Sequence, residues 1–174
     1  MILKTNIKNF FSVSNILFFT VIGFLVYSKY PQIKQNFISQ GELISDSFLL
    51  SEVRTSEPIQ FPRLQKQVVV FWATWCGPCK IELARLQKLV ESKKITPQQV
   101  LAVSLDDNES IVLDYLKENN YEFLVAFDKQ SLLAQKFNIK GTPTILFVDE
   151  KNEVKWRTTG VSVSLGLRAE NFLN

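Results

Sequence analysis

Histidine is absent from the 174 residues, cysteine occurs twice and methionine once. The first absence bears on metals. A structural zinc site takes four cysteine or histidine ligands, and this chain supplies two thiolates and no imidazole. Only a dimer sharing ligands, or carboxylates filling in, would complete such a site. Copper(I) is soft enough to sit between two thiolates, but Met1 is the single thioether that would assist. A surplus of one charge sign is also missing. Twenty Lys and Arg against 17 Asp and Glu leave a net charge of +3, interspersed and without a dense basic stripe, so a nucleic-acid partner has no support. No internal repeat or low-complexity tract is present. The lack of spare cysteines suits an oxidising compartment, where stray thiols would scramble.

The two cysteines stand together in Trp75-Cys76-Gly77-Pro78-Cys79. At the start of a helix, residues three apart share a face, so both sulfurs reach disulfide geometry. The first thiol then lies at the positive end of the helix dipole, where unpaired backbone N–H groups favour a thiolate. Cys76 is therefore the candidate nucleophile and Cys79, one turn in, the shielded resolving thiol. Pro78 suits a first helical turn, where its missing N–H costs little. A purely structural disulfide gains little here, because so short a closed loop removes little unfolded-state entropy. Redox chemistry is the favoured use, and a Cu(I)-binding module using both thiolates is the alternative outside enzymology.

The surroundings fit that use. Residues 67–71 are a run of β-branched and aromatic residues, the pattern of a buried strand. After the motif, Cys79, Leu83, Leu86, Leu89 and Val90 recur at helical spacing, with Lys80, Glu82, Arg85, Gln87 and Lys88 largely elsewhere. Strand, C-x-x-C, amphipathic helix is the thioredoxin-like order. The segment from Val68 through Trp75-Cys76-Gly77-Pro78-Cys79 to Glu82 resembles the active-site segment of the TlpA/ResA/CcmG-like branch of the thioredoxin superfamily. A second matching segment is Gly141-Thr142-Pro143-Thr144 with the strand that follows, and the similarity runs over residues 45–174.

That resemblance implies a thiol–disulfide oxidoreductase acting on protein thiols and disulfides, with no cofactor beyond a redox-active Cys76–Cys79 disulfide and no metal. It implies that Pro143 is cis and packs beside the disulfide, leaving the backbone of Thr142 free to pair with an extended partner peptide. On its own, a proline opening a strand is also an ordinary structural position. By the same resemblance Trp75 is an exposed docking surface, whereas Trp72 has the ordinary reading of core packing. The Gly77-Pro78 dipeptide is shared with strongly reducing thioredoxins, at roughly −270 mV, which favours a reductase over a disulfide-forming oxidase of the same fold. The ending at residues 156–160 and 165–168 resembles ScsD-like membrane-anchored proteins, implying thiol protection under copper or oxidative stress. Cytochrome c maturation is the other role the branch implies.

The chain departs from the branch at three positions. Val70 stands where many thioredoxins carry a buried acid, Gly77 where ResA-like members often place Glu, and Ala84 where a proline is usual. The proton acceptor for Cys79 is thus left to water or to a loop carboxylate. Lys80 is expected to face solvent, and Glu82 to form an i,i+3 pair with Arg85.

The N-terminus reads separately. Residues 9–28 contain no charge and are long enough to span a bilayer as a helix. Lys4 and Lys8 precede them, which favours an inside N-terminus. A cleaved signal peptide is the alternative, but residues 27–31 offer no A-x-A-like site. The organisation expected is a cytoplasmic N-terminus at 1–8, a transmembrane anchor at 9–28, a linker at 29–46 and a thioredoxin-like domain at 47–174. This puts the catalytic domain in a periplasm or outside the cell, held to the cytoplasmic membrane and recharged by a membrane thiol electron donor or acceptor.

For that domain the patterns predict a short strand pair near 48–61 and strands at 67–72, 99–105 and 122–127. They predict helices at 77–93, after a cap at 106–108, and at 131–137. The chain closes with strands at 144–149 and 153–158 and a helix carrying Leu165, Ala169 and Phe172. Ile111, Val112, Tyr115 and Leu116 share one helical face. The helix and strand at 109–127 form the TlpA-type insertion. The fold class is α/β, a three-layer α/β/α sandwich with a mixed sheet.

Overall fold

The computed structural model describes residues 17–25, 27–28 and 41–174. The chain divides into two compact units, Met1–Ile38 and Ser39–Asn174. In the first, residues 17–25 and 27–28 are helical and expose Leu17, Phe18, Phe19, Phe24 and Leu25. Among the described residues no helix is long and apolar enough to cross a membrane. The span expected at 9–28 lies partly outside them, as do residues 1–8 and most of the expected linker.

The second unit is built on a five-stranded sheet in the order β5-β4-β3-β6-β7. Its strands are β3 (Gln67–Trp72), β4 (Val100–Ser104), β5 (Leu124–Phe127), β6 (Thr144–Val148) and β7 (Val154–Thr159). β3 runs parallel to β4, and β4 to β5. β6 and β7 are antiparallel additions, so the sheet is mixed as expected. β3, β4 and β6 are buried along their whole length. Strands covered on both faces read as unbroken apolar runs, which is why they stand out in the sequence.

One face of the sheet carries α1 (Gly77–Glu91), α2 (Glu109–Glu118) and α4 (Leu165–Leu173). Leu83, Leu86 and Val90 of α1, Val112 and Leu116 of α2, and Leu165, Ala169 and Leu173 of α4 share one core with Val68, Val70 and Trp72. The other face differs from a plain helical layer. It is covered by the five-residue α3 (Leu132–Lys136) together with a two-stranded sheet, β1 (Phe48–Ser51) and β2 (Pro58–Phe61). Ile59, Phe61, Leu133 and Phe137 fill that core. Asp128 holds the start of α3, accepting from the N–H groups of Leu133 at 2.9 Å and Ala134 at 2.7 Å.

The insertion forms as expected, as α2 and the edge strand β5. Asn108 caps α2 by accepting from the Ser110 N–H. Ile111 departs from expectation and is half exposed, because Val112 and Leu116 occupy the core positions. Phe172 is likewise only partly buried, since Leu165, Ala169 and Leu173 follow the i, i+4, i+8 row. The outer edge of β5 is engaged. Glu52 bridges to Ala126, and the Val53 N–H donates to Val125 O. Arg54, paired with buried Glu52, donates to the carbonyls of Tyr121 and Phe123. The chain also touches the sheet earlier than the expected linker boundary, for Leu43 bridges to Glu153 and Ile44 is buried.

Candidate active site

The sheet register brings the two sequence motifs to one end. β3 leads into the C-x-x-C segment, and Phe71 pairs with Thr144, the residue after Pro143. The Thr142–Pro143 bond is cis. Pro143 is buried, and its carbonyl accepts from the Gly160 N–H at 2.8 Å. Thr144 Oγ1 donates to Gly141 O at 2.7 Å. Thr142 itself makes no backbone hydrogen bond among the described residues and is half exposed. Its N–H and C=O are therefore available to an extended peptide.

Cys76 and Cys79 form a disulfide with Cα atoms 5.3 Å apart. Cys76 is the N-cap of α1 in extended conformation, and its sulfur accepts from the Cys79 N–H at 3.2 Å. Gly77 and Pro78 make the first turn. The two sulfurs are not equivalent: Cys76 is 5% exposed and Cys79 fully buried. A partner sulfur thus reaches Cys76 first, and Cys76 stands where helix N–H groups stabilise negative charge. Apart from its chain neighbours and its own helix backbone, no heavy atom lies within 4 Å of a Cβ added at Gly77, so packing does not demand glycine there.

Trp75 is 74% exposed beside the motif, whereas Trp72 is fully buried with its ring 5.4 Å from Tyr115. Both exposures match expectation. Lys80 is exposed, with its amine 5.1 Å from the centre of the Tyr115 ring, a cation–π placement. Val70 is buried, so β3 offers no acid behind the disulfide.

Two carboxylates near this end depart from the sequence reading. Glu82 forms the expected pair with Arg85 at 3.1 Å, but it is fully buried instead of sitting on the polar face. Its second oxygen accepts from the Ser162 N–H at 2.5 Å, and Arg85 Nη1 donates to Ser162 O at 2.9 Å. The ion pair thereby holds both backbone polar groups of one residue in the loop after β7. Glu82 lies three residues after Cys79 and four before Leu86, so its place on the buried face was written in that spacing. Asp106 falls within the helix cap expected at 106–108. It is instead buried at the end of β4, accepting from Thr74 Oγ1 at 2.6 Å, Thr74 N at 3.0 Å and Ser104 Oγ at 2.7 Å. It fixes the loop two residues ahead of Cys76. Among the described residues no cluster of three or more Cys, Asp or Glu is arranged to hold a metal ion.

Comparison with known proteins agrees with this geometry. A model of the Redoxin family matches residues 59–169. Thiol-disulfide oxidoreductase ResA of Oceanobacillus iheyensis is 32% identical over 127 residues, which is 72% of this chain and 65%, just under two thirds, of that protein. Sporulation thiol-disulfide oxidoreductase A of Bacillus subtilis is 30% identical over 112 residues, 62% of this chain and 67% of its own length. A thioredoxin-like protein of Haemophilus influenzae aligns over 99% of this chain and 96% of its own, at 28% identity. The crystal structure of StoA from Bacillus subtilis superposes with a TM-score of 0.66 at 25% identity, covering 76% of this chain and all of that one. With a C-x-x-C disulfide at the head of α1, a cis-proline at the same end of the sheet and a family match over most of the domain, this chain belongs to the redoxin family, among the ResA- and StoA-like members of the thioredoxin superfamily.

Proposed function

We propose that this chain is a membrane-anchored thiol–disulfide oxidoreductase that works outside the cytoplasm as a reductase of partner proteins. The observation that carries the chemistry is the asymmetry of the disulfide: Cys76 caps the helix start and keeps 5% of its surface exposed, and Cys79 is fully buried one turn behind it. In the reduced protein the Cys76 thiolate attacks a partner disulfide, forming a mixed disulfide and releasing one partner thiolate, which takes up a proton. Cys79 gives up its proton and attacks the Cys76 sulfur, releasing the second partner thiol. Two electrons and two protons pass to the partner, and the Cys76–Cys79 disulfide remains. Trp75 and the free backbone of Thr142 receive the partner segment beside Pro143, while Gly77 and Pro78 shape the helix start.

The Gly77-Pro78 pair supports the reducing direction. Repeated turnover then requires a membrane thiol electron donor to reduce the disulfide again. The uncharged stretch at 9–28, with Lys4 and Lys8 before it, supports a single-pass anchor in the cytoplasmic membrane with the catalytic domain in the periplasm. The ScsD-like ending supports thiol protection under copper or oxidative stress as the role, with cytochrome c maturation as the alternative.

Insulin-disulfide reduction by the purified chain tests the reading. Wild type is expected to be active, Cys76→Ser to be inactive, and Cys79→Ala to accumulate mixed disulfides with extracytoplasmic proteins in cells. Full activity in Cys76→Ser would overturn the mechanism. Copper(I) bound at a fixed stoichiometry with no reductase activity would replace it with the metal-binding module.

A further inference from the structure

A groove of about 660 Å³ runs between β7 and α4, lined by Lys66, Trp156, Arg168, Asn171 and Phe172. Its floor is aromatic. Phe147, Trp156 and Phe172 meet edge to face with ring centres 5.5–5.8 Å apart, and Trp156 is still 42% exposed. Its rim is cationic. Lys66 Nζ lies 5.9 Å from the Phe172 ring centre, and Arg168 sits one helical turn before Phe172. Neither cation has a carboxylate partner among the described residues. The nearby acids are taken: Glu170 by Lys94 at 2.9 Å, and Glu153 and Asp149 by Lys155 at 2.8 and 3.3 Å. The groove therefore carries two uncompensated positive charges over an apolar floor.

Where the chain joins the domain decides what covers this groove. The Gly41 N–H donates to Val154 O, and the Val154 N–H to Glu42 O, two residues along β7 from Trp156. Val154 pairs with Val148, which pairs with Gln67. Residues 41–42, Lys66 and the start of β7 thus lie at one end of the sheet, and β3 runs from there toward Cys76 at the other. Residues 29–40 separate this point from the helical residues 27–28. A fully extended chain between residues 28 and 41 would reach at most about 47 Å.

We propose that this groove docks the domain on the bilayer surface, with the phosphate of an anionic phospholipid headgroup between Lys66 and Arg168 and Trp156 in the interfacial layer. The inference rests on the anchored reading above. Basic side chains are drawn to anionic lipid, and a partly exposed indole is a side chain favoured at a membrane–water interface. Docking this way turns the Cys76 end of the sheet away from the membrane. Exchange is then with partners, or with domains of a membrane carrier, that stand clear of the bilayer.

The test uses the full chain reconstituted into vesicles of brominated phosphatidylcholine, with and without phosphatidylglycerol, reading quenching of tryptophan fluorescence. Quenching is expected to rise with phosphatidylglycerol, to fall at high salt, and to vanish in Trp156→Phe, leaving insulin reduction intact. In Lys66→Gln/Arg168→Gln the docked-to-undocked ratio is expected to fall roughly thirtyfold, the effect of two basic residues at an anionic surface. Quenching that is absent, or equal in both lipids and unchanged in the double variant, overturns the docking proposal. The anchor is read separately by retention on the vesicles after an alkaline wash. Loss of the chain in that wash sinks the anchor. In that case, binding to phosphatidylglycerol vesicles that needs Trp156 supports the groove, and no binding overturns it.

Discussion

Replacing Glu82 with glutamine keeps the side chain's shape and removes one charge from a fully buried position. The carboxylate holds the Ser162 N–H with one oxygen and Arg85 with the other. A hydrogen bond to a charged group contributes about 1.5–3 kcal/mol net. The Arg85 side chain is 34% exposed, so water can replace part of its bond, and that half of the pair contributes about 1 kcal/mol or less. Glutamine retains one acceptor oxygen and can satisfy Ser162 or Arg85, but its NH₂ then faces the other donor. The expected loss is about 2 kcal/mol, rising to about 3–4 kcal/mol in Glu82→Leu, which leaves the Ser162 N–H unpaired. For a domain of this size about 4 °C accompanies each kcal/mol. Thermal melts of the oxidised protein should therefore fall by about 8 °C and about 14 °C. Exchange of the Ser162 amide hydrogen should quicken about thirtyfold in Glu82→Gln, because 1.4 kcal/mol is a factor of ten. A Gln variant melting within about 2 °C of wild type, with Ser162 exchange unchanged, would refute the clamp.

Gly77→Glu should fold normally, since apart from its chain neighbours and its own helix backbone nothing lies within 4 Å of the new Cβ. The added carboxylate next to Cys76 opposes the thiolate, so the pH profile of Cys76 alkylation should move up by about one unit and the disulfide should become harder to reduce; a downward move would contradict the site's electrostatics. Acid should destabilise the domain through Glu52 and Asp149. Burial pushes both carboxyls up, but at Glu52 the Arg54 side chain and the Arg54 and Thr55 N–H groups outweigh it, as the Glu153 and Lys151 N–H groups and Lys155 do at Asp149. Both end below the ordinary carboxylate range, so their contribution is complete above about pH 5 and is lost as pH falls through the lowered values. Melting temperature against pH should lose part of its acid limb in Glu52→Gln and Asp149→Asn, and an unchanged limb would show that other groups set it.

Apolar runs and local turn chemistry made most of the sheet legible in the sequence. β3, β4 and β6 announce themselves because both their faces are covered, and Asn108 caps α2 through a contact two residues away. The polar residues of the site were harder to place because their partners are distant in the chain. Glu82 meets Ser162 eighty residues on, Asp106 meets Thr74 thirty-two residues back, and Gln87 binds Glu122 thirty-five residues away. A polar side chain on an amphipathic helix reads as solvent-facing until a second loop supplies its donors. The cis-proline was carried by resemblance alone, since proline at the start of a strand has an ordinary explanation. The second outer layer was misjudged for a geometric reason: α3 is five residues long, too short to cover a sheet face, and the β1–β2 pair fills the remainder.

These long-range bonds share a purpose. Asp106 fixes Thr74 ahead of the nucleophile, Pro143 O holds Gly160, and Glu82 with Arg85 holds Ser162. The loops after β3 and β7 are thereby pinned to the sheet or to α1, and on the proposed function a partner segment would meet a preformed surface and lose less ordering entropy on docking. The difference between the two sulfurs needs none of these charges. It follows from backbone geometry, because an N-cap residue in extended conformation stands at the open end of the helix while the residue three on turns into the core. Lys80, the nearest cation in sequence, is engaged over the Tyr115 ring. The proposed order of attack therefore rests on where α1 begins, with Cys76 at the open end of the helix and Cys79 behind it.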